Sequence, residues 1–534
     1  MTTTTRRSAP TGDRSRSPVR LLARWGSRLP FPAGPALLGV VLVLGVLVRL
    51  HSPSELWLDE SLSIEISRRP LPELFDALRQ DGSPPLYYLL LHYWMAALGE
   101  GETATRALST IFSVAALPVT WFAARRLGGT STAWSATMLL AVTPFAVRYA
   151  TETRMYALVQ LLAALGLLCV LRALERPSMS RLLPVAVLSG ALALTHYWSL
   201  FLLAAAGLLL LAMATRGPDR PAARRTLLAL AAGGMLFLPW LPDFVFQVTR
   251  TGTPWAPVTS LNDLFLTVAA WAGGGGGTAT ILTLVMLSLT VLALAGHRVS
   301  TEGGGVRIGR PVHRRAAVLL AVTGGTLLLG IGAGIAVGAG FASRYSSVAL
   351  VPGLLLATLG LQALPVRVRT GALVTIAITG LVGAMGMPFS DNRTQAGVTA
   401  ARIAAALQPG DLVVYCPDQL GPAVSRRLPA ATDQVAYPLL SPPELIDWVD
   451  YEERNNDADA PAVARQLDAR TDGAVFVVWA PGYRTFGQQC EQLGDTLRQL
   501  RGERLTLTRR DPHYGERQQV DRYPGRPAAI AGTG

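Results

Sequence analysis

Residues 34–65 read GPALLGVVLVLGVLVRLHSPSELWLDESLSIE. The first half is an apolar run close to the ~20 residues that a helix needs to cross a bilayer. The second half sets two adjacent carboxylates, Asp59 and Glu60, directly after Leu56-Trp57-Leu58, with no arginine until Arg68. Ionisable groups beside a membrane span are costly, so their positions carry information. The pattern raises one question: what are two adjacent carboxylates doing just beyond the first span?

The rest of the chain repeats the apolar half of this pattern. Of 534 residues, 50% are hydrophobic and 16% charged, against about 25% charged in an ordinary soluble domain. Apolar blocks near 34–50, 104–124, 131–148, 155–173, 181–195, 197–214, 226–242, 278–296, 315–338, 345–363 and 371–388 predict about eleven transmembrane helices. The net charge is +13, and all 48 basic residues are arginine. In a soluble chain that balance would point to nucleic acid. Here the arginines concentrate in alternate connections. With the N-terminus inside, the inner segments carry 23 arginines and four acidic residues, while the outer loop 51–103 carries nine acidic residues and three arginines. The positive-inside rule accounts for this, so no nucleic-acid partner is expected. The expectation is a multi-pass protein of a bacterial plasma membrane with its N-terminus cytoplasmic. SPPLYYLLLHYWMAALG (83–99) is also apolar, but counting it as a span would invert the charge pattern. It reads instead as an interfacial helix of the first outer loop, as does LNDLFLTVAAWAGG (261–274).

Beyond residue 389 the composition changes. DLVVYC (411–416) and GAVFVVWA (473–480) read as buried strands, with helices in GVTAARIAAALQ and TFGQQCEQLGDTLRQL. The predicted organisation is a disordered cytoplasmic tail (1–33), a transmembrane domain (34–388), a small extracytoplasmic α/β domain (389–510) and a disordered tail (511–534). Cys416 and Cys490 fall in the α/β domain, where a disulfide and a pair of packed thiols stand as equal readings. No CxxC is present, so no zinc or redox motif is supported.

Every unusual polar residue maps to an outer span end. Arg106 opens one span. VRYATETRMYAL brings Arg148, Glu152, Arg154 and Tyr156; THYWSL brings His196; LPWLPDF brings Asp243; FASRYSSVALVP brings Arg344 and Tyr345. Arginine forks grip phosphate oxygens bidentately, and carboxylates take protons from hydroxyls. Such a cluster suits a substrate with an anionic phosphate and neutral hydroxyls. A transporter would place charged groups nearer the bilayer midplane. Each residue also has a structural reading: a Glu152–Arg154 pair, Arg106 and Arg148 snorkelling to headgroups, Asp243 at a helix end, and His196 as a satisfied interfacial imidazole.

LWLDE, DGSPPLYYLLLHYW, RALS, ATETRMYAL, THYWSLF and SRYSSVALVP lie in order over about residues 35–365. Together they resemble the GT-C superfamily of membrane glycosyltransferases, in particular bacterial relatives of protein O-mannosyltransferases and of lipid A aminoarabinose transferases. The resemblance implies a mainly α, GT-C type polytopic fold. It also implies transfer of a sugar from a polyprenyl-phosphate carrier to an acceptor hydroxyl of a glycan, lipid or protein. By motif match Asp59 is the general base, with Glu60 and Glu152 as further catalytic carboxylates. Arg154, Tyr156, His196, Arg344 and Tyr345 are the substrate-binding set, with Arg154 and Arg344 facing the donor phosphate. Many relatives read Gln-Glu where this chain has Thr151-Glu152. Some members hold a divalent metal on carboxylates. Asp59, Glu60 and Glu152 are the residues available for one, but no DxD is present at this site, so the metal stays open. The alternative is a transporter or flippase of lipid-linked sugars.

Overall fold

The computed structural model describes residues 34–295, 314–390 and 392–526. The expected tail 1–33 and the segment 527–534 lie outside the described residues. Each expected apolar block is helical. Eight described helices are long and apolar enough to cross a membrane: Glu102–Val142, Tyr156–Glu175, Trp198–Arg216, Arg220–Arg250, Gly277–Ala295, Arg314–Val337, Ser343–Leu361 and Val366–Gly386. Two of the eleven expected spans lie within Glu102–Val142 as two helices that meet at a kink at Gly129, where φ is 83°. Glycine reaches that left-handed conformation without a Cβ clash. Two further apolar helices, Gly34–Arg49 and Met179–Ala193, have only 16 and 15 residues.

The first outer loop folds into three short helices, Leu58–Ser67, Leu71–Asp81 and Leu86–Leu98. The last covers most of the apolar 83–99 stretch in 13 residues, about 20 Å at 1.5 Å per residue, short of a ~30 Å hydrocarbon core. Leu71–Asp81 ends at Gly82, whose φ of 83° caps the helix through its N–H to Leu78 O. A Cβ there would sit 2.8 Å from Thr251 Oγ1.

The C-terminal domain contains β1 (Asn392–Thr394), β2 (Leu412–Cys416), β3 (Asp433–Ala436), β4 (Val475–Trp479), β5 (Leu505–Thr508), β6 (Tyr514–Glu516) and β7 (Gln519–Tyr523). Five of them form a sheet in the order β3-β2-β4-β7-β5, in which β2 runs parallel to β3 and β4 while β7 is antiparallel to β4 and β5. β2 is buried on both faces: Leu412, Val414 and Cys416 enter one core, Val413 and Tyr415 the other. That explains its unbroken apolar run. The stretch from 511, expected as a disordered tail, instead supplies β6 and β7. Alternation is weak over three- and five-residue strands rich in charge, so sequence pattern did not reveal them. Of the two readings for the cysteines, the structure has the disulfide: Cys416 at the end of β2 is bonded to Cys490, 74 residues away.

A buried ion cluster joins this domain to the helical bundle. Glu60 is fully buried. Arg106 grips it as a fork, Nε to Oε1 at 2.7 Å and Nη2 to Oε2 at 2.7 Å. The Thr153 N–H donates to Oε1 at 3.0 Å, and Arg393 Nη1 of β1 lies 3.5 Å from Oε2. Arg393 also donates to Thr151 O (2.8 Å) and Oγ1 (2.7 Å). Burial alone would raise the Glu60 carboxyl, but Arg106 and Arg393 outweigh it and hold the group below the ordinary carboxylate range. At the rim, Glu55 accepts the Gly397 N–H at 2.7 Å, and ion pairs join Arg427 to Glu102 and Arg250 to Asp450.

Two stability predictions follow from this joint. Glu60→Gln strands the buried guanidinium groups and is expected to cost about 3–5 kcal/mol, read as a lower melting temperature in detergent; an unchanged value would remove the cluster from this role. Reducing the disulfide, or Cys416→Ser, is expected to destabilise the C-terminal domain by roughly 4 kcal/mol through the chain entropy released in the unfolded state. Limited proteolysis with and without reductant measures it, and equal cleavage rates would contradict it.

Candidate active site

Adjacent residues on a helix point about 100° apart. In Leu58–Ser67 that geometry separates the two carboxylates of the opening stretch: Glu60 turns into the bundle cluster, and Asp59 lines a cavity of about 810 Å³ between helix ends of the bundle and the C-terminal domain. This is within the ~300–1,000 Å³ range of ligand pockets. The helix begins at Trp57, which gives no side-chain cap. Its orphan first-turn N–H at Leu58 donates instead to Glu516 of β6, at 3.1 and 3.2 Å to the two oxygens. Burial pushes the Glu516 carboxyl up to about 8, with Asp59 and Glu60 adding to the effect.

Asp59 Oδ2 lies 3.4 Å from Arg344 Nη2 and 3.9 Å from Arg154 Nε. Arg154 Nη1 reaches Ser63 Oγ at 3.1 Å and Tyr88 OH at 3.3 Å, and that hydroxyl donates to Asp81 Oδ2 at 3.3 Å. Burial raises the Asp81 carboxyl above its ordinary value. Arg344 sits 4.6 Å from the ring centroid of Trp255 and 5.9 Å from that of Trp57, close enough for cation–π attraction. His196 stands between Tyr156 and Tyr345, with ring centroids 5.6 and 5.4 Å away. Burial, with Arg154 and Arg344 acting in the same direction, lowers its imidazole to about 3. It is therefore neutral at pH 7. Its Nδ1 accepts the Trp198 N–H at 3.2 Å, so the assigned tautomer leaves the Nε2–H free to donate.

Four polar atoms of cavity-lining side chains are buried without a hydrogen-bond partner in the protein: Trp57 Nε1, Asp59 Oδ2, Arg154 Nε and Arg344 Nε. Buried polar atoms are normally satisfied, and a convergent set of exceptions calls for an explanation. Two of these atoms, Asp59 Oδ2 and Arg154 Nε, face each other as a loose ion pair at 3.9 Å, and Arg344 Nη2 stands 3.4 Å from the same oxygen.

Six of the eight residues expected from the sequence line this cavity: Asp59, Arg154, Tyr156, His196, Arg344 and Tyr345. Glu60 and Glu152 do not. Glu152 is 1% exposed and pairs with Arg148 Nε at 2.6 Å. The Glu152–Arg154 pair is thus replaced by Glu152–Arg148, and Arg106 and Arg148 serve as counter-ions to Glu60 and Glu152 rather than snorkelling. Asp59, Glu60 and Glu152 do not fit a common metal ion: each faces its own arginine partner, and among the described residues no group of three or more His, Cys, Asp or Glu converges. The sequence reading missed Asp81, Trp57, Trp255 and the C-terminal wall with Glu516. Asp81 lay in the quoted DGSPP motif and was legible there. Glu516 had no local signal, because only tertiary docking brings it to Leu58.

Residues 82–242 match the family model for dolichyl-phosphate-mannose-protein mannosyltransferase. The crystal structure of ArnT from Cupriavidus metallidurans bound to undecaprenyl phosphate is 14% identical and superposes with a TM-score of 0.58 over 93% of this chain and 99% of that one. The archaeal oligosaccharyltransferase AglB from Archaeoglobus fulgidus, in complex with an inhibitory peptide and a dolichol-phosphate, is 12% identical, with a TM-score of 0.47 over 86% of this chain and 72% of that one. No curated protein sequence matches. The matched segment holds Glu152, Arg154, Tyr156 and His196, and the ArnT likeness extends the same fold over nearly the whole of both chains. Together these findings show that residues 82–242 are similar to that family model and that the chain shares the fold of ArnT.

Proposed function

We propose that this protein transfers a sugar from a polyprenyl-phosphate carrier to an acceptor hydroxyl at the extracytoplasmic membrane surface, with Asp59 as the general base. One observation carries the reading: Asp59, Arg154 and Arg344 line one cavity, where Asp59 Oδ2 accepts no hydrogen bond and is met only by ion pairs at 3.4 and 3.9 Å. The undecaprenyl phosphate held by the ArnT structure supports the donor class, and the disulfide supports an oxidising compartment for the C-terminal domain.

In this reading the acceptor oxygen attacks the sugar's anomeric carbon while the bond from that carbon to the phosphate oxygen breaks. Asp59 takes the hydroxyl proton, and polyprenyl phosphate leaves with the bonding electron pair. A phosphate leaving group needs charge stabilisation more than protonation, and Arg344 and Arg154 supply it from fixed positions. Before the donor binds, those arginines neutralise Asp59. With the phosphate in place they are shared, which frees the carboxylate to accept a proton. Neutral His196 offers its Nε2–H to a phosphate or sugar oxygen without adding charge. The lipid tail stays in the bilayer, which is why the site sits at span ends.

Asp59→Asn is expected to lower kcat by about 10²–10⁴-fold, the usual contribution of a positioned base, with an unchanged melting temperature. Transfer from polyprenyl-phosphate mannose, arabinose and glucose in proteoliposomes measures it; full activity in the variant would remove Asp59 from the role. Arg344→Lys is expected to lower kcat/KM for the donor by at least about tenfold, because an ammonium lacks the guanidinium fork. The same assay run against donor concentration tests this, and wild-type values would take the arginine off the phosphate.

A further inference from the structure

The cavity's outer wall belongs to the C-terminal domain, and the strand order says which part. β2 lies between β3 and β4, parallel to both. The chain passes from β2 to one neighbour and later returns to the other, so its path reverses between β2 and β4. Open α/β sheets bind ligands at such a reversal, in the crevice beyond the carboxyl ends of the strands. Here those ends are followed by Gln419, after β2, and by the segment 480–485, after β4, and both line the cavity opposite Asp59. The disulfide from Cys416 to Cys490 pins this same end of the sheet.

We propose that this crevice is the acceptor subsite and that the acceptor is a carbohydrate; the proposal rests on the transfer reading above. The wall pairs aromatic surface with dispersed hydrogen-bonding groups. Trp448, Tyr483, Gln419 and Arg484 line it, with Trp448 packed on Tyr451 at a centroid distance of 4.6 Å. Sugar rings stack their C–H faces on aromatic side chains and offer rim hydroxyls to such groups. Gln419 is held by Tyr451 OH, 3.2 Å from its Nε2, and Arg484 by Ala256 O at 2.8 Å. The backbone of Trp448 is fixed by its main-chain N–H to Gln80 O at 3.2 Å. The subsite is thus built across the joint between the two parts of the molecule. A peptide that adds as a strand would pair with the sheet edges β3 and β5, whereas the cavity meets the strand ends.

The test measures binding rather than turnover. Full-length Asp59→Asn protein in nanodiscs is titrated calorimetrically with linear manno- and arabino-tetrasaccharides, a serine/threonine-rich peptide and undecaprenyl phosphate. A tetrasaccharide is expected to bind. Gln419→Ala combined with Arg484→Ala is expected to weaken it by about tenfold or more, the scale of one lost hydrogen bond, while undecaprenyl phosphate affinity and melting temperature stay unchanged. Absence of tetrasaccharide binding, binding indifferent to both substitutions, or a peptide that binds in a tetrasaccharide's place would overturn the proposal. Because the readout needs no catalysis, an inactive wild type would defeat the transfer reading and leave this result standing on its own.

Discussion

The structure depends on neutralising carboxylates that the fold removes from bulk water. An unpaired buried charge costs several kcal/mol even after relaxation, so each acidic residue at the outer span ends dictates where an arginine must come from. Glu60 draws Arg106 from the bundle and Arg393 from beyond it. Glu152 takes Arg148 one turn away. Asp59 is treated differently: its two guanidinium neighbours stand at 3.4 and 3.9 Å, and its Oδ2 accepts no hydrogen bond. The closed pairs hold the architecture. The loose one lines the cavity.

That contrast explains why adjacent carboxylates follow the first span. A helix turns successive side chains apart, so Asp59 and Glu60 address different environments from a shared backbone. Fixing Glu60 fixes Asp59. The N-terminal end of the same helix is held by Glu516, 458 residues later in the chain, so the C-terminal domain is part of the site's scaffold as well as its outer wall.

The transmembrane organisation was legible because spans are long and apolar and their connections obey a charge rule. The arrangement of Arg154, His196 and Arg344 around Asp59 was legible because each sits at a span end on the same side, which confines it to one plane. Pairing within that plane was not: Arg148 rather than Arg154 meets Glu152, and sequence proximity cannot choose between neighbours a few residues apart. The roles of Arg393 and Glu516 were invisible for a stronger reason. β1 and β6 are three-residue strands paired with each other across the domain, and nothing local records that their side chains reach back to the first outer loop. The break at Gly129, by contrast, was legible, because the polar segment around Arg125-Arg126 and Gly128-Gly129 separates the apolar blocks 104–124 and 131–148.

The most direct measurement is a cryo-EM map of the full-length protein in nanodiscs with a polyprenyl-phosphate sugar bound. The account predicts donor phosphate oxygens within about 4 Å of the Arg344 guanidinium, the ion-pair distance, and the anomeric carbon facing Asp59. A phosphate bound away from Arg154 and Arg344, with Asp59 still paired to both, would contradict it.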